Sequence, residues 1–124
     1  MARRLNDEAP STIKKESALR HEGYRRLVAS MACEHCGRVG ASQAAHADQG
    51  KGAGIKTDDR TCWPACSTAP GRPGCHDIIG GSGALGKLAR RDLEARYAAS
   101  TRRKLIERGL WPADLSRWPG EVAE

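Results

Sequence analysis

The chain has 124 residues and 13.4 kDa, no phenylalanine, 4% aromatic and 39% hydrophobic residues, and a formal net charge of +6. That length implies one domain, and so few large side chains exclude an aromatic-filled core able to hold it by burial alone. No run approaches the roughly 18 apolar residues of a membrane span, and the arginine-bearing start lacks the apolar stretch of a secretory signal, so a metal staple built on reduced cysteines is expected rather than disulfides.

Residues 1–10 read as a loose tail ending at Pro10. Ser11 or Thr12 caps a predicted helix running to about Met31, with Ile13, Leu19, Leu27, Val28 and Met31 as its apolar side. Gly23 weakens that helix by about 1 kcal/mol relative to alanine, and His21 on it reads as a surface residue. Eleven of the fourteen glycines lie between Gly37 and Gly86, which gives residues 33–81 the texture of short strands and loops. Two strands are expected there, at about Ser42–His46 and Arg60–Pro64, joined by the glycine-rich connector QGKGAGIK over Gln49–Lys56. A helix follows from near Ser82, with Leu85, Ala89, Leu93 and Tyr97 at fourfold spacing and Leu88 beside them. Ser100 or Thr101 then caps a second helix through Arg108, ended by Gly109. Of Trp111 and Trp118 in the tail, one is expected to fold back while the final residues fray. The division is thus a tail over 1–10, one domain over 11–110 and a C-terminal tail over 111–124.

Charge is segregated along this order. Met1–Arg26 carries a net +3, Leu27–Ala84 zero, Leu85–Arg108 +5 and Gly109–Glu124 −2. Two basic wings flank a neutral centre that contains all five cysteines and three of the four histidines. A polyanion across both wings would present a phosphate to that centre, so nucleic acid is the natural partner.

Cys33-Glu34-His35-Cys36-Gly37 is a C-x-x-C-G knuckle, whose spacing lets two thiolates meet one ion while the glycine permits the turn beneath it. Cys62, Cys66 and Cys75 compete for the two remaining positions. Cys62 with Cys66 has the tighter spacing. Cys66 with Cys75 is preferred, because the intervening STAPGRPG reads as an excursion that returns on itself, and Cys62 sits in a strand beside Trp63, where a small buried thiol is common. His35, between the knuckle cysteines, is expected to point outward. A thioredoxin-type redox pair would need the knuckle to follow a strand and open a helix, the opposite of the order here.

The remaining residues fall into a pattern: C33-x-x-C36, then Ala-Ala-His46-Ala-Asp48 at a strand end, then the glycine loop with Lys56-Thr57-Asp58-Asp59-Arg60, then Trp63-Pro64-Ala65-Cys66, and Cys75-His76-Asp77 before a helix. Over roughly residues 33–80 this resembles the HNH endonucleases of the ββα-metal (His-Me finger) superfamily, in their small zinc-containing phage and prophage form. The GKGAGIKTDD run and the Cys75-His76 pair carry most of the likeness. The resemblance implies an α+β fold, a small zinc-stapled ββα-metal finger with a flanking N-terminal helix and C-terminal helices. It implies a metal-dependent DNA endonuclease, encoded by a phage or bacterium and cytoplasmic. The catalytic set carried over is His46 as the base, Asp59 at the middle position that supports the loop or orients the base, and His76 as ligand of the hydrolytic ion. Asp58 is the alternative to Asp59.

Chemistry explains the convergence: a neutral imidazole takes a proton from water, and a divalent ion stabilises the phosphoryl charge. Two cofactors follow, a structural Zn2+ on Cys33, Cys36, Cys66 and Cys75, and a catalytic Mg2+ or other divalent ion. Many members of the family place a metal-binding Asp or His just before the base; here that residue is Ala45. Asp48, on the His46 face if the strand continues, would repair the loss as a second ligand beside His76, or His46 itself binds the ion. The alternative to an enzyme is a non-catalytic zinc-containing nucleic-acid-binding module of a phage replication or recombination complex. Lys51, Lys56, Arg60, Arg90, Arg91, Arg96, Arg102, Arg103 and Lys104 are the candidate phosphate contacts, with the glycine loop letting backbone approach the nucleic acid. That loop lacks the terminal Lys-Ser/Thr spacing of a nucleotide phosphate cradle.

Overall fold

The computed structural model describes residues 19–47, 58–80, 83 and 85–121. Asp48, Lys51, Lys56, the glycine connector and the first eighteen residues lie outside them. Among the described residues, three helices pack around one two-stranded antiparallel sheet: α1 (Glu22–Ala29), β1 (Ser42–His46), a 3-10 turn (Asp59–Thr61), β2 (Cys62–Cys66), α2 (Cys75–Gly80) and α3 (Lys87–Glu107). This is an α+β arrangement.

Helix α1 is shorter than its pattern suggested. Leu19 and Arg20 are not helical, and His21 is the N-cap, in extended backbone, its Nδ1 accepting the Tyr24 N–H at 2.9 Å. His21 is therefore an end-stop with a folded role rather than a solvated surface residue. A ring nitrogen that satisfies an otherwise orphan helix donor fixes where the helix starts. At the other end the Ser30 N–H reaches Arg26 and Leu27, and its hydroxyl donates to the Leu27 carbonyl at 2.6 Å.

The first strand lies at Ser42–His46, as expected, and the second is displaced two residues, to Cys62–Cys66. The displacement has a local cause. Asp58 caps residues 59–61, accepting the Arg60 N–H at 2.8 Å, while its carbonyl accepts the Thr61 hydroxyl at 2.7 Å. Those residues wind into a turn before extended backbone can begin. The register runs from Ser42 opposite Cys66 to His46 opposite Cys62. Pro64 lacks an N–H, which a two-stranded sheet with open edges tolerates.

Side chains alternate across this hairpin, and each face has its own cluster. Ala45, Ala47, Trp63 and Ala65 pack with Cys33, Cys66, Cys75, Ile79 and Ala98, so α2 covers this face. Ala44 and Cys62 pack on the other side with Tyr24, Val28, Met31, Leu105 and Leu115, under α1 and the tail.

Helix α3 is continuous over 21 residues, where two capped helices were expected. Thr101 does not cap: its hydroxyl donates to the Tyr97 carbonyl at 2.8 Å, one turn back, and the helix runs on. Leu85, Leu93 and Tyr97 of the expected stripe pack against the core, but the most buried face is offset from them. Glu94, Ala98, Thr101, Arg102 and Leu105 are buried, whereas Leu88 is 77% exposed and Ala89 is exposed. The helix ends as its glycine predicts. Gly109 has φ of 71°, its N–H bonds the Ile106 carbonyl, and the Leu110 N–H bonds that of Leu105, a Schellman closure.

Both tail tryptophans fold back, not one. Trp111 packs edge-on to Tyr24 at 5.1 Å and donates to the Leu115 carbonyl. Trp118 lies beneath two guanidinium groups, with Arg102 at 4.6 Å and Arg60 at 5.5 Å from its centroid.

Candidate metal centre and histidine site

At one end of the hairpin, the sulfurs of Cys33, Cys36, Cys66 and Cys75 all lie within 4.8 Å of one another. The knuckle is folded for this. The Cys33 N–H bonds the Arg38 carbonyl, the Gly37 N–H returns to Cys33, and Gly37 adopts φ of 82°. The excursion over 67–74 closes as its prolines and glycines suggested. Ala69 bridges Arg72, and the Thr68 hydroxyl accepts the Gly74 N–H at 2.9 Å. Gly74 must be glycine: a Cβ there would stand 2.4 Å from the Cys66 carbonyl oxygen. That approach lets the Cys75 N–H reach Cys66 Sγ at 3.3 Å.

Burial opposes ionisation of Cys66, but the Cys75 N–H and the neighbouring thiols outweigh it and bring it down to about 7. The first thiolate of the set is thus formed near neutral pH, in the state that binds cations. Four sulfur donors in this arrangement could hold a metal ion, and the all-thiolate set suits zinc. Cys62 is not among them. It pairs with His46 at the far end of the hairpin, about 13 Å along the strand from Cys66, and burial pushes its thiol up to about 12.

The second site lies at that far end. His46 Nε2 is 2.8 Å from Asp59 Oδ1. Asp59 is fully buried, and its other oxygen accepts the His21 backbone N–H at 2.6 Å and Nη1 of Arg25. Burial alone would raise the Asp59 carboxyl, yet hydrogen bonds from His46, the His21 N–H and Arg25 hold it below the ordinary carboxylate range. An ionised Asp59 can only accept, so His46 donates from Nε2, and Nδ1 is left outside this bond. Of the two acidic candidates, Asp59 takes the place beside the imidazole; Asp58 is spent on Arg60. Cys62 completes a cluster with His46 and Asp59, again within 4.8 Å. In this cluster one carboxylate oxygen is already taken by Arg25 and the other by His46.

His76 opens α2, half exposed, with Nδ1 3.9 Å from Asp77 Oδ1. Among the described residues it shares no metal-ligand cluster with His46 or with the four cysteines. Ala45 on the first strand and Ala47 just after it share a buried cluster with Ile79 of α2, and both carry only methyl groups. His35, expected to point outward, lies at the surface and bonds the Tyr97 hydroxyl at 2.6 Å.

The candidate phosphate contacts divide sharply. Arg60 and Arg102 are buried and structural: Arg60 donates to the Ser116 and Arg117 carbonyls, and Arg102 to the Arg60 carbonyl and Glu121. Their guanidinium groups hold the tail instead of facing a polyanion. On the surface of α3, Lys104 bonds Glu34, Arg96 bonds Asp92, and Arg90 reaches the Gly80 carbonyl. Arg91 is half-buried, and Arg103 is exposed along a groove of about 630 Å³ between α3 and the tail. Sequence reasoning missed Arg25, which meets Asp59 across 34 positions; no local motif signals that pairing. Among the described residues, no helix is long and apolar enough to cross a membrane.

Comparison with protein-family models, with curated proteins and with solved structures finds no match.

Proposed function

We propose that this chain is a metal-dependent endonuclease that hydrolyses DNA phosphodiester bonds, with the His46 end of the hairpin as its reacting end. The observation that carries the reading is the pairing of His46 with a buried, ionised Asp59. A half-exposed imidazole with one nitrogen tied to a carboxylate has the other aimed outward as a proton acceptor. Water losing its proton to Nδ1 becomes the nucleophile at phosphorus, the P–O bond opposite the attacking oxygen breaks, and the departing sugar oxygen takes a proton from solvent. Asp59 stabilises the resulting imidazolium and stays ionised, because two donors besides His46 hold it. The zinc-type cluster supports the fold of the ββα-metal finger and takes no part in the step.

The hydrolytic divalent ion, when bound, supplies charge stabilisation for the phosphoryl group. His76 and Asp48 are the residues expected to hold it, and imidazole ligation suits a transition-metal ion better than Mg2+. The second reading, a non-catalytic zinc-containing nucleic-acid-binding module, is favoured by Ala45 and Ala47, the buried residues on either side of His46, which carry no ligand atom.

Plasmid nicking separates the two. Zinc-loaded protein should nick supercoiled DNA when Mn2+, Ni2+ or Mg2+ is added after chelation of loosely bound ions. His46→Ala should lower that rate by about 10²–10⁴-fold and leave zinc content and DNA affinity intact. Binding without nicking under every ion would replace the enzyme with the binding module.

A further inference from the structure

The segment that resembles a known nuclease begins at Cys33, so the helix before it has no assigned part in the chemistry. The contacts of Asp59 give it one. Oδ1 faces His46, while Oδ2 receives the His21 backbone N–H and Arg25 Nη1. His21 and Arg25 belong to the cap and the first turn of α1, and the groups they turn to Oδ2, a backbone N–H and a guanidinium, can only donate. A carboxylate gripped on one oxygen by two donors from a single helix turn cannot rotate about its own bond. Its second oxygen is left with one orientation, toward the imidazole.

We propose that Arg25 is a positioning residue for hydrolysis, acting through Asp59 to hold His46 in the Nε2–H tautomer with Nδ1 toward the water. This rests on the reading of His46 as the base. The backbone N–H of His21 marks where Oδ2 must sit, and the guanidinium locks it there. Arg25 is one-third exposed on its side chain and His46 equally so, whereas the carboxylate between them is fully enclosed. Two groups at the surface are therefore connected by a buried one, and a change at Arg25 must reach His46 through it. Among the described residues, Arg25 is the one Lys or Arg that bonds Asp59.

The test uses the full zinc-loaded chain with 15N-labelled histidine. In wild type, His46 should show a single Nε2–H tautomer at neutral pH. Arg25→Gln should give a mixture of both tautomers and reduce kcat for plasmid nicking by roughly 10²-fold while KM changes less than about twofold. Arg25→Lys, which restores a cation with one nitrogen instead of a fork, should recover part of both signals. An unchanged tautomer in Arg25→Gln would overturn the proposal. So would a loss confined to KM, which would make Arg25 a phosphate contact. Should Arg25→Gln fail to fold, the tautomer of the Lys variant decides alone: partial mixing supports the proposal, and a wild-type spectrum overturns it. Should wild type never nick DNA, the endonuclease reading fails while the tautomer comparison still decides whether Arg25 positions His46.

Discussion

The two ends of the hairpin are built by opposite strategies. At the Ser42–Cys66 end, four cysteines from a tight knuckle, a strand terminus and a helix start converge on one point. At the His46–Cys62 end, an imidazole, a carboxylate and a guanidinium come from a strand, a 3-10 turn and α1. The first end is held by donors whose spacing along the chain nearly dictates their meeting. The second is held by hydrogen bonds between elements that meet only because the sheet brings them together. A metal ion on the four cysteines would secure the fold, as the polar network secures the geometry of the other end; losing the first should unfold the protein, whereas losing the second should blunt the proposed activity.

The largest test of that contrast is at the cysteines. Changing Cys33, Cys36, Cys66 or Cys75 to serine should release the ion and unfold the centre, since zinc-coupled folding energies of roughly 10–16 kcal/mol exceed the stability of a small domain. Cys62→Ser should retain stoichiometric zinc and cost about 1–2 kcal/mol of packing. Metal analysis beside thermal unfolding reads both, and zinc loss in Cys62→Ser would erase the distinction between the ends.

A smaller effect is expected behind the histidine site. Arg102 donates to the carbonyl of Arg60, inside the turn that carries Asp59, and to Glu121. Arg102→Ala should cost about 1.5–3 kcal/mol, the range for hydrogen bonds to charged groups, with zinc retained and the tryptophan emission of Trp118 shifted to the red. Loss of zinc in this variant would mean that the two ends are not separable.

The smallest concerns acid. The folded Asp59 carboxyl lies below its ordinary value of 3.8. Its stabilisation is thus complete above that value and disappears as pH falls through the lower folded one. Wild type should lose this increment on acidification, and Asp59→Asn should show a flatter dependence over the same range. Equal slopes would show that the carboxylate is not held as the hydrogen bonds imply.

What the sequence made readable follows the same division. The knuckle, Cys66 with Cys75, the strand at Ser42–His46 and the glycine at 109 depend on neighbours within a few positions, and periodicity and spacing suffice for them. The extent of α1, the unbroken α3 and the start of β2 were misread, because His21, Thr101 and Asp58 each spend a side chain on the backbone in a way that composition does not specify. Arg60 and Arg102 read as phosphate ligands since a basic residue on a helix looks alike whether it meets solvent or a tryptophan. Only tertiary contact with Trp118 distinguishes them.

The tail has a consequence for the order in which the molecule is completed during synthesis. All four cysteines have been made once Cys75 is added, whereas Trp111, Leu115, Trp118 and Glu121 follow much later. At about 5–20 residues per second, the ribosome needs some seconds to make the span between them. Until that span is made, Arg60 lacks the carbonyls of Ser116 and Arg117, and Arg102 lacks Glu121. The chain thus holds every cysteine of the cluster before the turn bearing Asp59 has its last partners.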